Sequence, residues 1–303
     1  MKDYLSEVNA RFPIRRSSQQ KALFCDYVRE EIGEDRVAFE TLDNRHKNVI
    51  IGNISEAEVV FTAHYDTPAA SVIPNLMIPA NKLLSILYHM LYPLILSIAS
   101  LALALMFGNV FSMQQTAIIF IYLALYLGVY YTTTRLFSNK NNKNDNTSGV
   151  ATVLSVASNT NNSKVAFVLF DNEEKGLEGS KAFNKKHKNL MKNKLVVNFD
   201  CVGNGDQIVL ILKDAATRLS QFDALKSTLI SNEKYTVHYL QNKSSVANSD
   251  HKSFLCGVGV MACNKGSRVR FYTGRIHTAR DTVANSENIY FLADKISRFI
   301  DSM

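Results

Sequence analysis

Tryptophan is absent from this chain, and only four cysteines and five prolines occur in it. Cys25, Cys201, Cys256 and Cys263 show neither paired disulfide spacing nor metal-knuckle spacing, which excludes a disulfide scaffold and suits a reduced compartment. The opening residues lack an apolar run, because Lys2, Asp3, Glu7, Arg11, Arg15 and Arg16 interrupt it, so no signal peptide is expected. The most informative absence is of charge. Charged residues make up 20% of the chain, yet none occurs from Leu83 to Thr134.

Within that stretch Leu83 to Phe107 and Thr116 to Thr134 each come near the roughly 20 residues that a helix needs to cross a bilayer. Gly108-Asn109 and Ser112 to Gln115 form a polar turn between them, so residues 82–137 read as a transmembrane helical hairpin. Tyr88, Tyr92, Tyr126, Tyr130 and Tyr131 stand where interfacial or bundle-facing aromatics sit. Pro93 predicts a kink, and His89 is a polar group at a cost in lipid. The alternative is a buried helical pair in a soluble core, but core helices rarely run this long without a charged face. Lys82 before the hairpin and Arg135, Lys140 and Lys143 after it put both ends in the cytoplasm by the positive-inside rule. The expected location is therefore the cell membrane, with the soluble part facing the cytoplasm.

The net charge of +7 raises nucleic acid as a partner. The basic residues are scattered and form no nucleic-acid motif, so none is expected. Attraction to anionic headgroups accounts for the balance. The dense run Lys185-Lys186-His187-Lys188 fits that reading and a solvated helix face equally.

Residues 1–81 and 138–303 read as one discontinuous domain. Amphipathic helices are expected before residue 33, and strands over Val37–Thr41, Asn48–Ile51 and Val59–Ala63. Later strands alternate with helices near Thr147–Ser158 and Gln221–Ser231, and Glu287–Ile300 has helical apolar spacing. The pattern predicts an α/β fold, a three-layer α/β/α sandwich with a mixed, mostly parallel sheet, interrupted by the hairpin. Pro68, Pro74 and Pro79 suggest an extended lead into the hairpin.

Chemistry concentrates in short motifs in one order: His64-Tyr65-Asp66, Asp145-Asn146, Asp171-Asn172-Glu173-Glu174, Asp200, and His277-Thr278. Apolar strand-like runs deliver three of them, Val59–Ala63 into His64, Val165–Phe170 into Asp171, and Leu195–Phe199 into Asp200. Singly each has an ordinary explanation, such as a helix cap or a solvated first turn. Together, two histidines and several carboxylates suit divalent metal, with one carboxylate shared between two ions.

The order and context resemble the co-catalytic zinc aminopeptidase family, which includes bacterial leucyl aminopeptidase, aminopeptidase Y and the glutamate carboxypeptidase II group. The resemblance implies two zinc ions. His64 and Asp200 would bind the first, Glu174 and His277 the second, and Asp145 would bridge both. Glu173 would be the general base acting on a metal-bound hydroxide, and Asp66 the carboxylate that orients His64. Ser249-Asp250-His251 also resembles a segment near the site, with His251 and Asp250 as substrate-side candidates. His277 is the better metal ligand because Thr278 and Asp281-Thr282 follow it. Strand alternation would point Cys201 away from Asp200.

The resemblance further implies release of the N-terminal residue from a peptide substrate, with the metals stabilising the oxyanion and receiving the free amine. Tyr235, Tyr239 and Tyr272 are unranked oxyanion donors. A glutaminyl cyclase-like acyltransferase is the alternative enzyme. Tryptophans line the pocket of such cyclases, and this chain has none. A non-catalytic membrane scaffold of the same fold would not need the full ligand set. The flanks of a hairpin held in the lipid bilayer offer surfaces for homo-oligomerisation.

Overall fold

Apolar runs without polar alternation are the mark of strands buried on both faces, and they form the sheet centre in the computed structural model, which describes residues 2–245 and 247–303. The strands are β1 (Val37–Leu42), β2 (His46–Ile51), β3 (Val59–His64), β4 (Asn75–Met77), β5 (Val165–Phe170), β6 (Leu195–Phe199), β7 (Gln207–Leu212), β8 (Thr236–Gln241), β9 (Gly257–Lys265) and β10 (Phe271–Ile276). The helices are α1 (Tyr4–Arg11), α2 (Ser18–Ile32), α3 (Lys82–Val110), α4 (Gln115–Thr134), α5 (Gly149–Ala157), α6 (Glu178–Lys186), α7 (Lys188–Met191), α8 (Ser220–Thr228) and α9 (Ser286–Asp301).

All ten strands belong to one mixed sheet, whose centre runs β5-β3-β6-β9 in parallel. Antiparallel pairs close both flanks, β1 and β2 beyond β5, and β7, β10 and β4 beyond β9. Side chains of β3 alternate between two cores: Val59, Phe61 and Ala63 pack with residues of α1, α2, α5, α8 and α9, while Val60 packs with Phe183 of α6 and Met191 of α7. The layers are therefore helix, sheet, helix, as the sequence pattern implied. The carboxyl ends of β3, β5 and β6 meet at one edge, where ligand sites of open parallel sheets form.

The uncharged stretch becomes α3 and α4, both long and apolar enough to cross a membrane. They do not form the buried core pair weighed above: Leu94 is 57% and Phe120 69% exposed. Helix α3 continues past Pro93. The two helices pack closely beside the turn, where a side chain on Gly108 would meet Ile118 at 2.4 Å. Ser97 and Tyr122 hydroxyls pair at 2.9 Å, and Tyr92 reaches Thr133 at 2.6 Å. At the base, Tyr88 donates to the Pro74 carbonyl and His89 Nε2 meets Asn75 Oδ1 at 2.8 Å. The hairpin is thus tied to β4.

Candidate metal centre

Strand ends place three of the motifs. His64 is the last residue of β3, Asp200 follows β6, and Glu173 and Glu174 form a short helical turn after β5. Asp145 comes from the segment just before α5, and His277 directly follows β10. These five elements converge. His64 Nε2 lies 3.4 Å from Asp145 Oδ1 and 3.6 Å from Asp200 Oδ1. His277 Nε2 lies 3.0 Å from Asp145 Oδ2 and 3.4 Å from Glu174 Oε2. Asp145 therefore turns one carboxylate oxygen to each histidine. His64–Asp145–Asp200 and Asp145–Glu174–His277 are each compact enough to surround a single cation.

The donor set fits divalent zinc. It offers imidazole nitrogen and carboxylate oxygen, the ligands that zinc takes, and the buried atoms Glu174 Oε1 and Asp200 Oδ1 have no hydrogen-bond partner. Such orphaned acceptors are costly unless a cation or donor meets them.

Asp66 has a wider role than steering one ring. Its carboxylate accepts the backbone N–H of Glu173 at 3.0 Å and of Glu174 at 3.2 Å, fixing the turn that carries both. The nearer partner of His64 Nδ1 is the Asp66 backbone carbonyl, at 3.1 Å, with the carboxylate at 3.5 Å. Asn172, just before Glu173, sits in the left-handed region at φ 54°, where Asn is among the better tolerated residues. Lys21 of α2 holds its side chain at 2.7 Å and also pairs with Asp171.

The Asp145 segment is braced from every side. The peptide joining Asp145 to Asn146 is cis. Asn146 donates to the Phe199 carbonyl at 2.9 Å and accepts from the N–H groups of Gly149 and Cys201, linking α5 to the end of β6. Position 149 requires glycine, since a Cβ there would stand 2.3 Å from the Phe199 carbonyl oxygen. Asp281 accepts the N–H groups of Asn144 and Asp145 at 3.1 and 2.9 Å.

Arg15 was not legible as a site residue, since it reads as one of several solvated basic residues near the start. It is fully buried behind the centre, donating to the carbonyls of Phe12 and Tyr65 and to Thr147. Burial lowers its pKa to about 10, against the pull of Asp66 and Asp145, so it stays charged at neutral pH. Asp281 offered only a weak signal, as part of the Asp281-Thr282 pattern, and Lys21 offered none.

The field of the cluster is strongly negative. Burial alone would lower the pKa of His64, but Glu173, Asp145, Asp200 and Asp66 raise it well above the ordinary value. Burial likewise opposes protonation of His277, yet Glu174 and Asp145 raise it to about 9. Burial pushes Glu174 up to about 8 and Glu173 well above the usual carboxylate range. Asp145 goes the other way, since the two histidines outweigh its burial. Crowded carboxylates that burial drives toward neutrality are what bound cations would relieve.

A cavity of about 1240 Å³ opens over these groups, lined by Asp145, Glu173, Glu174, Asp200 and His277. Asp250 and His251 stand to one side, in neither of the two groups around Asp145. Asp250 is fully buried with both carboxylate oxygens unpaired, and burial lifts it to about 7. His251 is driven down to about 3 by burial and faces a small apolar pocket shared with Asp200, Cys201 and Met261. Cys201 corrects the alternation argument. Strand β6 ends at Phe199, Cys201 takes φ 57°, and the residue lines the cavity beside Asp200. Tyr235 and Tyr239 donate instead to Asn288 and the Leu229 carbonyl. Neither they nor Tyr272 line the cavity.

Residues 137–293 match the family described as peptidase family M28. No curated protein sequence matches the chain. Among solved structures, the LapA aminopeptidase of Legionella pneumophila aligns at TM-score 0.56 and 14% identity, over 98% of this chain and 69% of that one. Glutaminyl cyclase of Porphyromonas gingivalis aligns at TM-score 0.59 and 12% identity, over 99% and 97%. That of Fimbriiglobus ruber aligns at 0.52 and 13%, over 99% and 93%. At these identities the likeness is one of fold.

Proposed function

The chain belongs to peptidase family M28 and is a zinc metallopeptidase, and we propose that it is a membrane-anchored aminopeptidase working with two zinc ions. One observation carries the two-ion reading: Asp145 offers Oδ1 to the His64 side and Oδ2 to the His277 side. His64 and Asp200 would hold one ion, Glu174 and His277 the other, with Asp145 between them. Zinc, when bound, supplies Lewis acidity and lowers the pKa of nearby water.

The protein's own groups do the rest. Glu173 projects into the cavity with Oε2 at 3.9 Å from His64 Nε2. It takes a proton from the attacking water and returns it to the leaving amine. Asp66 keeps Glu173 and Glu174 in register through their backbone amides. The free amine of the peptide N-terminus, which a blocked N-terminus lacks, would be received by zinc when bound. The soluble segments 1–81 and 138–303 form the catalytic domain, and 82–137 anchors it in the cell membrane with the site on the cytoplasmic side. The carboxylate shared by two compact ligand groups and the lack of tryptophan favour hydrolysis over cyclisation at one ion.

The test is hydrolysis of aminoacyl p-nitroanilides by detergent-purified protein with zinc, beside Glu173→Gln. We expect the variant to lose activity by roughly 10²–10⁴-fold, the usual contribution of general acid–base catalysis, with zinc content unchanged. Equal activity in both proteins would sink this role for Glu173.

A further inference from the structure

The cavity does not end with the soluble domain. From the carboxylate floor it continues along the hairpin, where Ile86, Met90, Pro93 and Leu94 of α3 and Tyr130 of α4 line it. Leu94 lies far along α3 from Lys82, so at 1.5 Å per residue the groove climbs about 18 Å above the base of the helix. Met90 and Leu94 are 63% and 57% exposed, on a helix long and apolar enough to cross a membrane. The upper part of this groove therefore lies where lipid would be.

Its lining changes with height. The floor is acidic. Lys82, Arg135, Lys175 and Lys252 also line the cavity, and the two at the helix ends, Lys82 and Arg135, stand where a bilayer's headgroups would lie and basic groups are drawn to anionic lipid. Beyond them Ile86, Met90, Pro93 and Leu94 make the wall largely apolar, with His89, Tyr92 and Tyr130 as its polar members. A hydrophilic peptide gains nothing from an apolar wall in the membrane, whereas a peptide partitioned into lipid keeps its apolar side chains out of water along the whole route. The wall is also fixed in place, because the contacts of Tyr88 and His89 hold α3 to the β4 segment, and β4 pairs with β10 just before His277.

We infer that the hairpin is one wall of the substrate cleft, and that the preferred substrate is an apolar peptide that enters from the lipid with its free N-terminus leading. This inference rests on the aminopeptidase reading above. Met90 and Leu94 are the specificity-determining positions it names.

The experiment uses the full chain with zinc in phosphatidylcholine–phosphatidylglycerol vesicles. Three substrates share one N-terminal residue: its p-nitroanilide, a hydrophilic decapeptide and an apolar membrane-inserting peptide. The apolar peptide should be favoured over the hydrophilic one at least tenfold in kcat/KM. Met90→Trp and Leu94→Trp, which fill the groove, should cut that preference at least fivefold, while Leu105→Trp, near the hairpin turn and outside the cavity, should preserve it. A preference near one, with the p-nitroanilide turned over normally, would overturn this inference alone. So would an equal fall in preference for all three variants. Failure to cleave any of the three despite bound zinc would overturn the aminopeptidase reading and this inference with it.

Discussion

The two halves of the centre are built differently. On one side His64 ends a central strand and its side chain is 1% exposed. The neighbouring Tyr65 is held to β5 through the Phe170 carbonyl and to Arg15 through its own carbonyl. On the other side His277 is 30% exposed. It follows a strand whose pairing with β4 slips between Thr273 and Ile276, and both Arg275 and His277 adopt positive φ, at 68° and 60°. Its carbonyl accepts from Ser71, in the segment that leads to the hairpin. The core of the sheet sets one half, and the connection to the hairpin sets the other. The difference teaches that position in the fold, not ligand chemistry, decides which histidine is deeply buried.

The sharpest way to break this contrast is to remove one histidine at a time and count metal. His277→Ala should keep about one zinc of the two a bridged site would hold, with little change in melting temperature. His64→Ala should keep less, and also melt lower, because buried Asp66 and Asp145 lose their imidazole partner. Equal metal loss and equal stability would abolish the distinction.

Asp66→Asn tests the His64 half more gently. Its carboxylate serves the Glu173 and Glu174 amides as well as His64, so the loss should be roughly 10–100-fold in activity or zinc affinity, as for other groups that orient ligands. A zinc titration followed by activity would read it. No change would mean that backbone packing alone holds the turn.

His89→Phe should act most weakly and only on the other half. Cutting the contact to Asn75 loosens β4 and, through β10, His277. A roughly three- to tenfold fall in kcat, the scale for remote positioning groups, should appear with one zinc still tightly held. A fall in the affinity of the buried ion instead would contradict the route through β4.

The sheet centre, both flanking helix layers, the hairpin and the meeting of the five motif residues were legible because each follows from local pattern or from motif order. Apolar runs predicted β3, β5 and β6, and the uncharged stretch predicted α3 and α4 within a few residues. What was not legible depends on contacts far apart in sequence. Arg15 and Lys21 look like surface cations until α1 and α2 dock behind the site. Asp66 gave no sign that its carboxylate would accept amides from across the sheet. Cys201 was misjudged because alternation was extended beyond the end of the strand, and the tyrosines because hydroxyl partners cannot be read from spacing.

Of the five ligand candidates, His64 alone precedes the hairpin, and Asp145, Glu174, Asp200 and His277 follow it. During synthesis the chain must therefore pass both long apolar helices before Asp145 can meet His64, and His277 is the last of the five to arrive. A nascent or truncated chain carries a lone histidine at a strand end and no assembled centre. The order of the motifs thus ties completion of the centre to prior synthesis of the hairpin.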